Sequence, residues 1–462
     1  MKMVMKLHIK NFGCQMNKLD SSLVCSALVE RGFELVETSE DADVILMNTC
    51  SVRQHAEERV LSHLGRLKHE KKSRPELVVG VIGCMAQRMG AELAEHEAVD
   101  LVAGPGQIAQ IPDLIEEVLA SKGTVVAVSE DIRVKGSDVE RVGLDEFEMA
   151  YDSDANHIPG QAFVRVMRGC NNFCTYCIVP YVRGPEVSRK PADIIKQIRK
   201  LADGGVKQIT LLGQTIDAYE YAEGGKIYRL GDLLEETSEI EGVEWIRFIT
   251  SHPGKFDAGI LEAMASLKKV TPYLHIPAQS GSDRILKAMN RRYTAEHYLS
   301  LIEKARQMVP GISIVSDFIV GFPGETEEDF EATVELVRKA RFKNSFVFKY
   351  SPRVGTHCEK KLADDVSDEV KKERNIELLA VQNAISEEDN LKYLGATVKV
   401  LVEGLSKKPH LNKAENDDNP QLVGRTATDH IVVFNGPERL RASFADVKVI
   451  KTSALTLFGE ID

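Results

Sequence analysis

Short apolar runs that stop abruptly, each followed by a stretch of helical periodicity, recur along most of this chain. That alternation leaves few folds open. A helix that returns the chain before each new strand makes neighbouring strands parallel, so the elements must build α/β layers. Near the start the unit occurs three times. "KLHIKNFGC" ends at Cys14 before "NKLDSSLVCSALVERG"; "DADVILMNTC" ends at Cys50 before "VRQHAEERVLSHLGRLKHEKK"; "PELVVGVIGC" ends at Cys84 before "MAQRMGAELAEHE". Each strand ends on a cysteine.

A polar, acidic stretch of weak periodicity follows, and then a second series. The expected strands are "AFVRVMR", "QITLLG", "WIRFIT", "YLHIPA", "ISIVSDFIVG" and "NSFVFKY", with "ADIIKQIRKLADGG", "AGILEAMASL", "AEHYLSLIEKARQM" and "EEDFEATVELVRKA" among the helices between them. Six such units predict an incomplete (β/α)6 barrel, open along one side. The charged helix "DEVKKERNIELLAVQNAISEEDNLKYLG" reads as a connector. Beyond it, β-branched alternation with Gly and Asn-Gly turns predicts a small antiparallel β-barrel. The expected division is an N-terminal parallel α/β domain over 5–122, a linker over 123–155, the partial barrel over 156–390 and the small barrel over 391–457.

The 462 residues carry a formal net charge of −11, which argues against holding nucleic acid by bulk charge. The tail from Ala396 balances its acidic and basic residues, so that module can approach a polyanion. The N-terminus lacks a signal peptide's apolar region, and no apolar run reaches the ~18 residues of a membrane span. These features predict a cytoplasmic protein with no membrane partner. Eight cysteines in a reducing compartment point to metal binding or catalysis rather than to disulfides.

"RGCNNFCTYCIVP" sets Cys170, Cys174 and Cys177 in the spacing C-x₃-C-x₂-C, with no fourth Cys or His close behind. Thiolates select zinc or iron–sulfur. A structural zinc asks for four ligands, whereas a [4Fe–4S] cubane on three cysteines leaves one iron open for an amine and a carboxylate. Three unrelated buried thiols are the bland alternative. Cys14, Cys50 and Cys84 are too far apart for a motif, yet successive parallel strands put their C-terminal ends on one edge, where they can converge. Three small apolar residues at strand ends would look the same. Cys25, among Leu23, Val24 and Leu28, reads as a buried hydrophobe, and Cys358 has no assigned role.

C-x₃-C-x₂-C after the first strand of a βα barrel resembles the radical S-adenosylmethionine enzymes. "GCQMN", "NTCSVRQHAEER" and "GCMAQR" are similar to the N-terminal domain of the methylthiotransferases among them, and the tail is similar to a TRAM domain. The resemblance implies two [4Fe–4S] clusters. Cys170, Cys174 and Cys177 would hold the catalytic one, whose open iron chelates S-adenosylmethionine for reductive cleavage to a 5′-deoxyadenosyl radical. Cys14, Cys50 and Cys84 would hold the second, where sulfur is carried and methylated. Turns leaving candidate strands supply Gln214, Gln279, Ser280 and Asp317 as contacts to S-adenosylmethionine or substrate. Arg183, in "YVRGPEVSR", suits a carboxylate or phosphate, or is a solvated loop arginine. In "FKNSFVFKY" the aromatics suit base stacking, though their alternation fits the barrel core better.

Two departures from the family pattern stand out: Thr215 and Asp217 where asparagines are usual, and Val354 where proline is usual. "SGSDRILKAMNRRYT" and "LVGRTATDHIVVF" resemble the branch that methylthiolates C2 of N6-(dimethylallyl)adenosine next to the tRNA anticodon. The rivals are the branches acting on an aspartate of ribosomal protein S12 and on threonylcarbamoyladenosine in tRNA. A non-catalytic iron–sulfur protein that senses RNA is the reading from another class. The expected partners are that tRNA, an electron-donor protein and an unidentified sulfur donor, with the enzyme a monomer.

Overall fold

The computed structural model describes residues 4–51, 54–121, 123–129, 146–151, 158–407 and 419–461. Its first layer is a six-stranded parallel sheet. Across it run Glu34–Leu35, Lys6–Phe12, Val44–Thr49, Val78–Gly83, Leu101–Ala103 and Val125–Ala127. Val44–Thr49 and Val78–Gly83 are buried at every position, as central strands covered by helices on both faces must be. The edge strand Val125–Ala127 carries the sheet past residue 122, into the stretch expected to be linker. Three residues are too few to show a period, so it could not be read. Residues 130–145 and 152–157 of that stretch lie outside the described residues.

Register sets the geometry of this edge. Phe12 pairs with Thr49, and Thr49 with Gly83. The cysteines one or two residues further on therefore leave the sheet side by side. Gly83 has φ +94°, and a Cβ there would lie 2.5 Å from Asn48 Oδ1. Only glycine turns the chain there into the helix Cys84–Ala94.

All six expected barrel strands form. Gln161–Arg165, Gln208–Leu212 and Trp245–Ile249 make one parallel sheet, and Tyr273–His275, Ser313–Val320 and Asn344–Lys349 another. A parallel bridge between Ile246 and Val270 joins the two. The helix Leu230–Ser238, which the sequence reading passed over, lies between the second and third strands. The helix Asp368–Asn390 is more than a connector. Gln382 donates to Phe342 O at 2.8 Å and Ser345 Oγ donates to Gln382 Oε1 at 2.8 Å, which ties it to the last strand. Phe342 is buried, but Phe346 is 47% exposed, so the alternation in "FKNSFVFKY" points only partly into the core.

The C-terminal module is a closed five-stranded barrel. Four pairings are antiparallel, as expected. The fifth, Ile431–Asn435 with Thr456–Glu460, is parallel, because Phe444–Thr452 lies between them in sequence but pairs on the other side of Thr456–Glu460. The module docks on residues at or near the N-terminal ends of barrel strands. Trp245 stacks edge-on with Phe444 at 4.8 Å, Gln161 donates to Glu403 at 3.2 Å, and buried Arg247 donates to Asp429 at 2.6 Å. Its core is Val400, Val402, Leu422, Val432, Phe434, Val447, Val449 and Leu457, all at most 1% exposed. Phe434→Ala should cost about 3–5 kcal/mol of that module's stability, read as a lowered denaturant midpoint.

Candidate functional site

All eight cysteines are free thiols. Cys50 and Cys84 are buried and Cys14 is partly so. Cys14 caps the helix Gln15–Glu30. A hydrogen bond with Cys50, opposed by burial and helped by the Arg183 charge, brings the Cys14 thiol down to about 6. Burial raises Cys84, while Arg183 acts in the opposite sense. Two asparagines from the same motifs fasten the trio. Asn17 Oδ1 accepts from Cys14 Sγ at 3.2 Å, and Asn17 Nδ2 donates to Asn48 Oδ1 at 2.7 Å. Asn48 Nδ2 donates back to Asn17 O at 2.9 Å. The sequence reading stopped at the cysteines; the asparagines of "GCQMN" and "NTC" were the available signal.

The short-spaced trio sits in the loop after the first barrel strand. Cys170 and Cys174 are each 8% exposed. Gly169 allows the sharp entry: its φ is +76°, and a Cβ would lie 1.8 Å from Pro185 O. Cys170 N–H donates to Gly184 O at 3.1 Å, and Cys177 N–H to Cys174 O at 2.9 Å. Thr215 Oγ1 is 3.3 Å from Cys170 Sγ and accepts from Asn172 Nδ2 at 3.1 Å. The departure at Thr215 therefore falls directly against a thiol. Burial raises the Cys170 and Cys177 thiols.

Arg291 was missed by the sequence reading. It is 5% exposed and donates to Cys174 Sγ at 3.6 Å and to Pro277 O at 2.8 Å. Its only sequence signal is its place in "SGSDRILKAMNRRYT". Among the described residues, no three His, Cys, Asp or Glu side chains are grouped tightly enough to share one metal ion. A cubane asks for something else, one sulfur to each of three irons. Free thiols in threes, with guanidinium N–H groups aimed at sulfur, form a donor set that fits it.

One segment touches both trios. Arg183 is neither solvated nor open to a ligand: its side chain is 6% exposed. It donates from Nε to Cys84 Sγ at 3.3 Å and from Nη2 to Asp20 Oδ2 at 3.0 Å. Ile178 and Val182, from the segment following Cys177, pack against Cys84. Asp20 also receives Arg165 Nη1 at 2.7 Å, and Arg165 in turn pairs with buried Glu148. One carboxylate thus holds two guanidiniums at the boundary between sheet and barrel. Asp20→Ala leaves those buried cations undercompensated and should cost about 3–5 kcal/mol, measured as a shift of the urea midpoint.

The remaining candidates are spread along the barrel. Gln214 Oε1 is buried without a hydrogen-bond partner among the described residues. Asp317 Oδ1 is 3.2 Å from His275 Nε2 on the neighbouring strand. Gln279 adopts φ +69° and pairs with Phe318 by a parallel bridge. The Ser280 hydroxyl is taken up by Thr333 at 3.3 Å and by the Ser282 amide at 3.1 Å, so it holds a turn. Asp217, which shares the first departure with Thr215, accepts from His252 N–H at 2.8 Å while its other oxygen has no partner among the described residues, and burial pushes its carboxyl up to about 7. It lines a cavity of about 840 Å³ beside Asn171. Val354 lies exposed in the loop between the last barrel strand and Cys358. Cys25 is buried, and burial raises its thiol to about 12, as fits a hydrophobe. Cys358 receives the Tyr350 hydroxyl at 3.0 Å.

A partial parallel barrel with a three-cysteine loop after its first strand defines the radical S-adenosylmethionine class, and residues 164–337 match the Radical SAM superfamily. Residues 6–104 match the Uncharacterized protein family UPF0004, and residues 391–461 match the TRAM domain. The fold is shared with the radical S-adenosylmethionine methyltransferase TsrM from Kitasatospora setae. The TM-score is 0.53 at 16% identity, covering 74% of this chain and 72% of that one. Closer in sequence is the tRNA-2-methylthio-N(6)-dimethylallyladenosine synthase of Rhodopirellula baltica, 44% identical over 99% of this chain and 96% of the relative. The enzyme of the same name from Thermoanaerobacter sp. strain X514 is 43% identical over 98% and 92%. The chain belongs to the tRNA-2-methylthio-N(6)-dimethylallyladenosine synthase family.

Proposed function

We propose that this chain methylthiolates C2 of N6-(dimethylallyl)adenosine next to the anticodon of tRNA, giving 2-methylthio-N6-(dimethylallyl)adenosine. Family membership carries the substrate. The observation that carries the chemistry is that one segment touches both cysteine trios, Arg183 at Cys84 and its neighbour Gly184 at Cys170. Cys170, Cys174 and Cys177 would hold the [4Fe–4S] cluster that binds S-adenosylmethionine, and Cys14, Cys50 and Cys84 a second. When bound, the two clusters supply the electron that cleaves S-adenosylmethionine and the sulfur that is methylated and transferred.

The chain's own residues prepare that chemistry. C2–H of an adenine is inert to acid–base catalysis, so a radical route suits it. Burial of Cys170 and Cys174 keeps water from the sulfurs, and the Thr215 hydroxyl and the Arg291 guanidinium lie against them. Gln214, with its buried oxygen unpaired among the described residues, and Asp317, near His275, are the polar groups we assign to the co-substrate or to the adenosine; the Gln279 side chain is a third. An adenine inside a folded anticodon loop must leave its stack to enter the barrel.

The small barrel lies toward the N-terminal ends of the barrel strands. RNA gripped there must span about 17–20 Å of strand to reach the cysteine loop. None of the described helices is long and apolar enough to cross a membrane. We assign the enzyme to the cytoplasm as a monomer working with an electron-donor protein. The test supplies reconstituted, reduced protein and S-adenosylmethionine with isopentenylated tRNA, threonylcarbamoylated tRNA or the S12 protein. Mass spectrometry should find the added methylthio group only on the first, and its appearance on another substrate instead would overturn the assignment.

A further inference from the structure

We propose that Arg183 is a positioning residue for the N-terminal thiolates and sets the reduction potential of the cluster they would hold; this rests on reading Cys14, Cys50 and Cys84 as its ligands. The guanidinium belongs to the barrel's cysteine loop but serves the other domain. Its Nε–H points at Cys84 Sγ at 3.3 Å, and Asp20, itself 1% exposed, fixes its far end at 3.0 Å. Arginine keeps its charge in proteins, and buried Asp20 pairs with it. Ile178 and Val182 close over Cys84, so the charge acts through a medium of low dielectric.

A hydrogen bond to a ligating sulfur and a fixed positive charge both favour the more negative, reduced state of an iron–sulfur centre. The contact with the other trio is made by a different group. Gly184 O, on the main chain, accepts from Cys170 N–H, so a change in the Arg183 side chain leaves it in place. The hydrogen bond of Arg183 therefore bears on one centre alone, and its charge, lying against Cys84, acts more strongly there than on the neighbour.

The experiment is an EPR-monitored redox titration of the reconstituted full-length protein as wild type, Arg183→Gln and Arg183→Lys, with iron content and circular dichroism measured for each. Arg183→Gln should move the potential of the N-terminal centre to more negative values and shift the Cys170–Cys177 centre by clearly less. Arg183→Lys, which keeps the charge, should recover most of the shift. Two signals with unchanged potentials in Arg183→Gln, or both potentials moving by the same amount, would overturn the role of Arg183. A wild-type protein that shows a single centre would instead overturn the ligand reading beneath it.

Discussion

Cys170→Ala, reconstituted and reduced in the presence of S-adenosylmethionine, releases no 5′-deoxyadenosine above background. The expectation follows from how the loop is built. Cys170 is the member of its trio held by Gly184 O through its amide and by Thr215 through its sulfur. Alanine preserves the first contact and the buried volume of a small side chain, so the loop keeps its path while one sulfur is lost. Two thiols remain for a centre that needs three; Cys358, whose N–H donates to Thr175 O at 2.8 Å in the same loop, has its sulfur engaged by the Tyr350 hydroxyl. Liquid chromatography of quenched reactions measures the product, with far-UV circular dichroism as the check on folding. Turnover near the wild-type rate would show that the C-x₃-C-x₂-C loop does not hold the catalytic centre.

Cys50→Ala separates the two halves of the reaction. Cys50 is 3% exposed at the end of a sheet strand, and its hydrogen bond goes to Cys14. Cys14 and Arg353, on which it acts, lie outside the 168–184 loop. Cleavage of S-adenosylmethionine should stay within about tenfold of wild type, ~1.4 kcal/mol in barrier. Methylthio transfer to isopentenylated tRNA should be lost. Both products are read from one reaction, 5′-deoxyadenosine by chromatography and the modified nucleoside by mass spectrometry. Repeated methylthiolation by this variant would sink the division of labour between the trios.

The elements that read easily share a physical cause. Strands such as Val44–Thr49 and Gln208–Leu212 are buried throughout, so each appears as a mostly apolar run between helical stretches. What did not read was too short, or depended on partners distant in sequence. Val125–Ala127 is three residues long. The parallel closure of the small barrel depends on which strand lies beside Thr456–Glu460. Asn17 and Asn48 were visible in their motifs, but their bond spans 31 positions. Arg291 reaches Cys174 across 117, and no local spacing announces that.

Local sequence by itself determined the alternation of strands and helices, and with it the two parallel layers. It also determined the close grouping of Cys170, Cys174 and Cys177, because a spacing of three and four residues in a tight loop leaves the sulfurs nowhere else to go. Only the tertiary structure decided that Cys14, Cys50 and Cys84 stand together, because the register of three parallel strands brings them to one edge. The same packing turned Arg183, a loop arginine by its sequence, into a buried cation between two sets of thiols. A charge 99 residues from Cys84 in the chain has no pattern to betray it until two domains close around it.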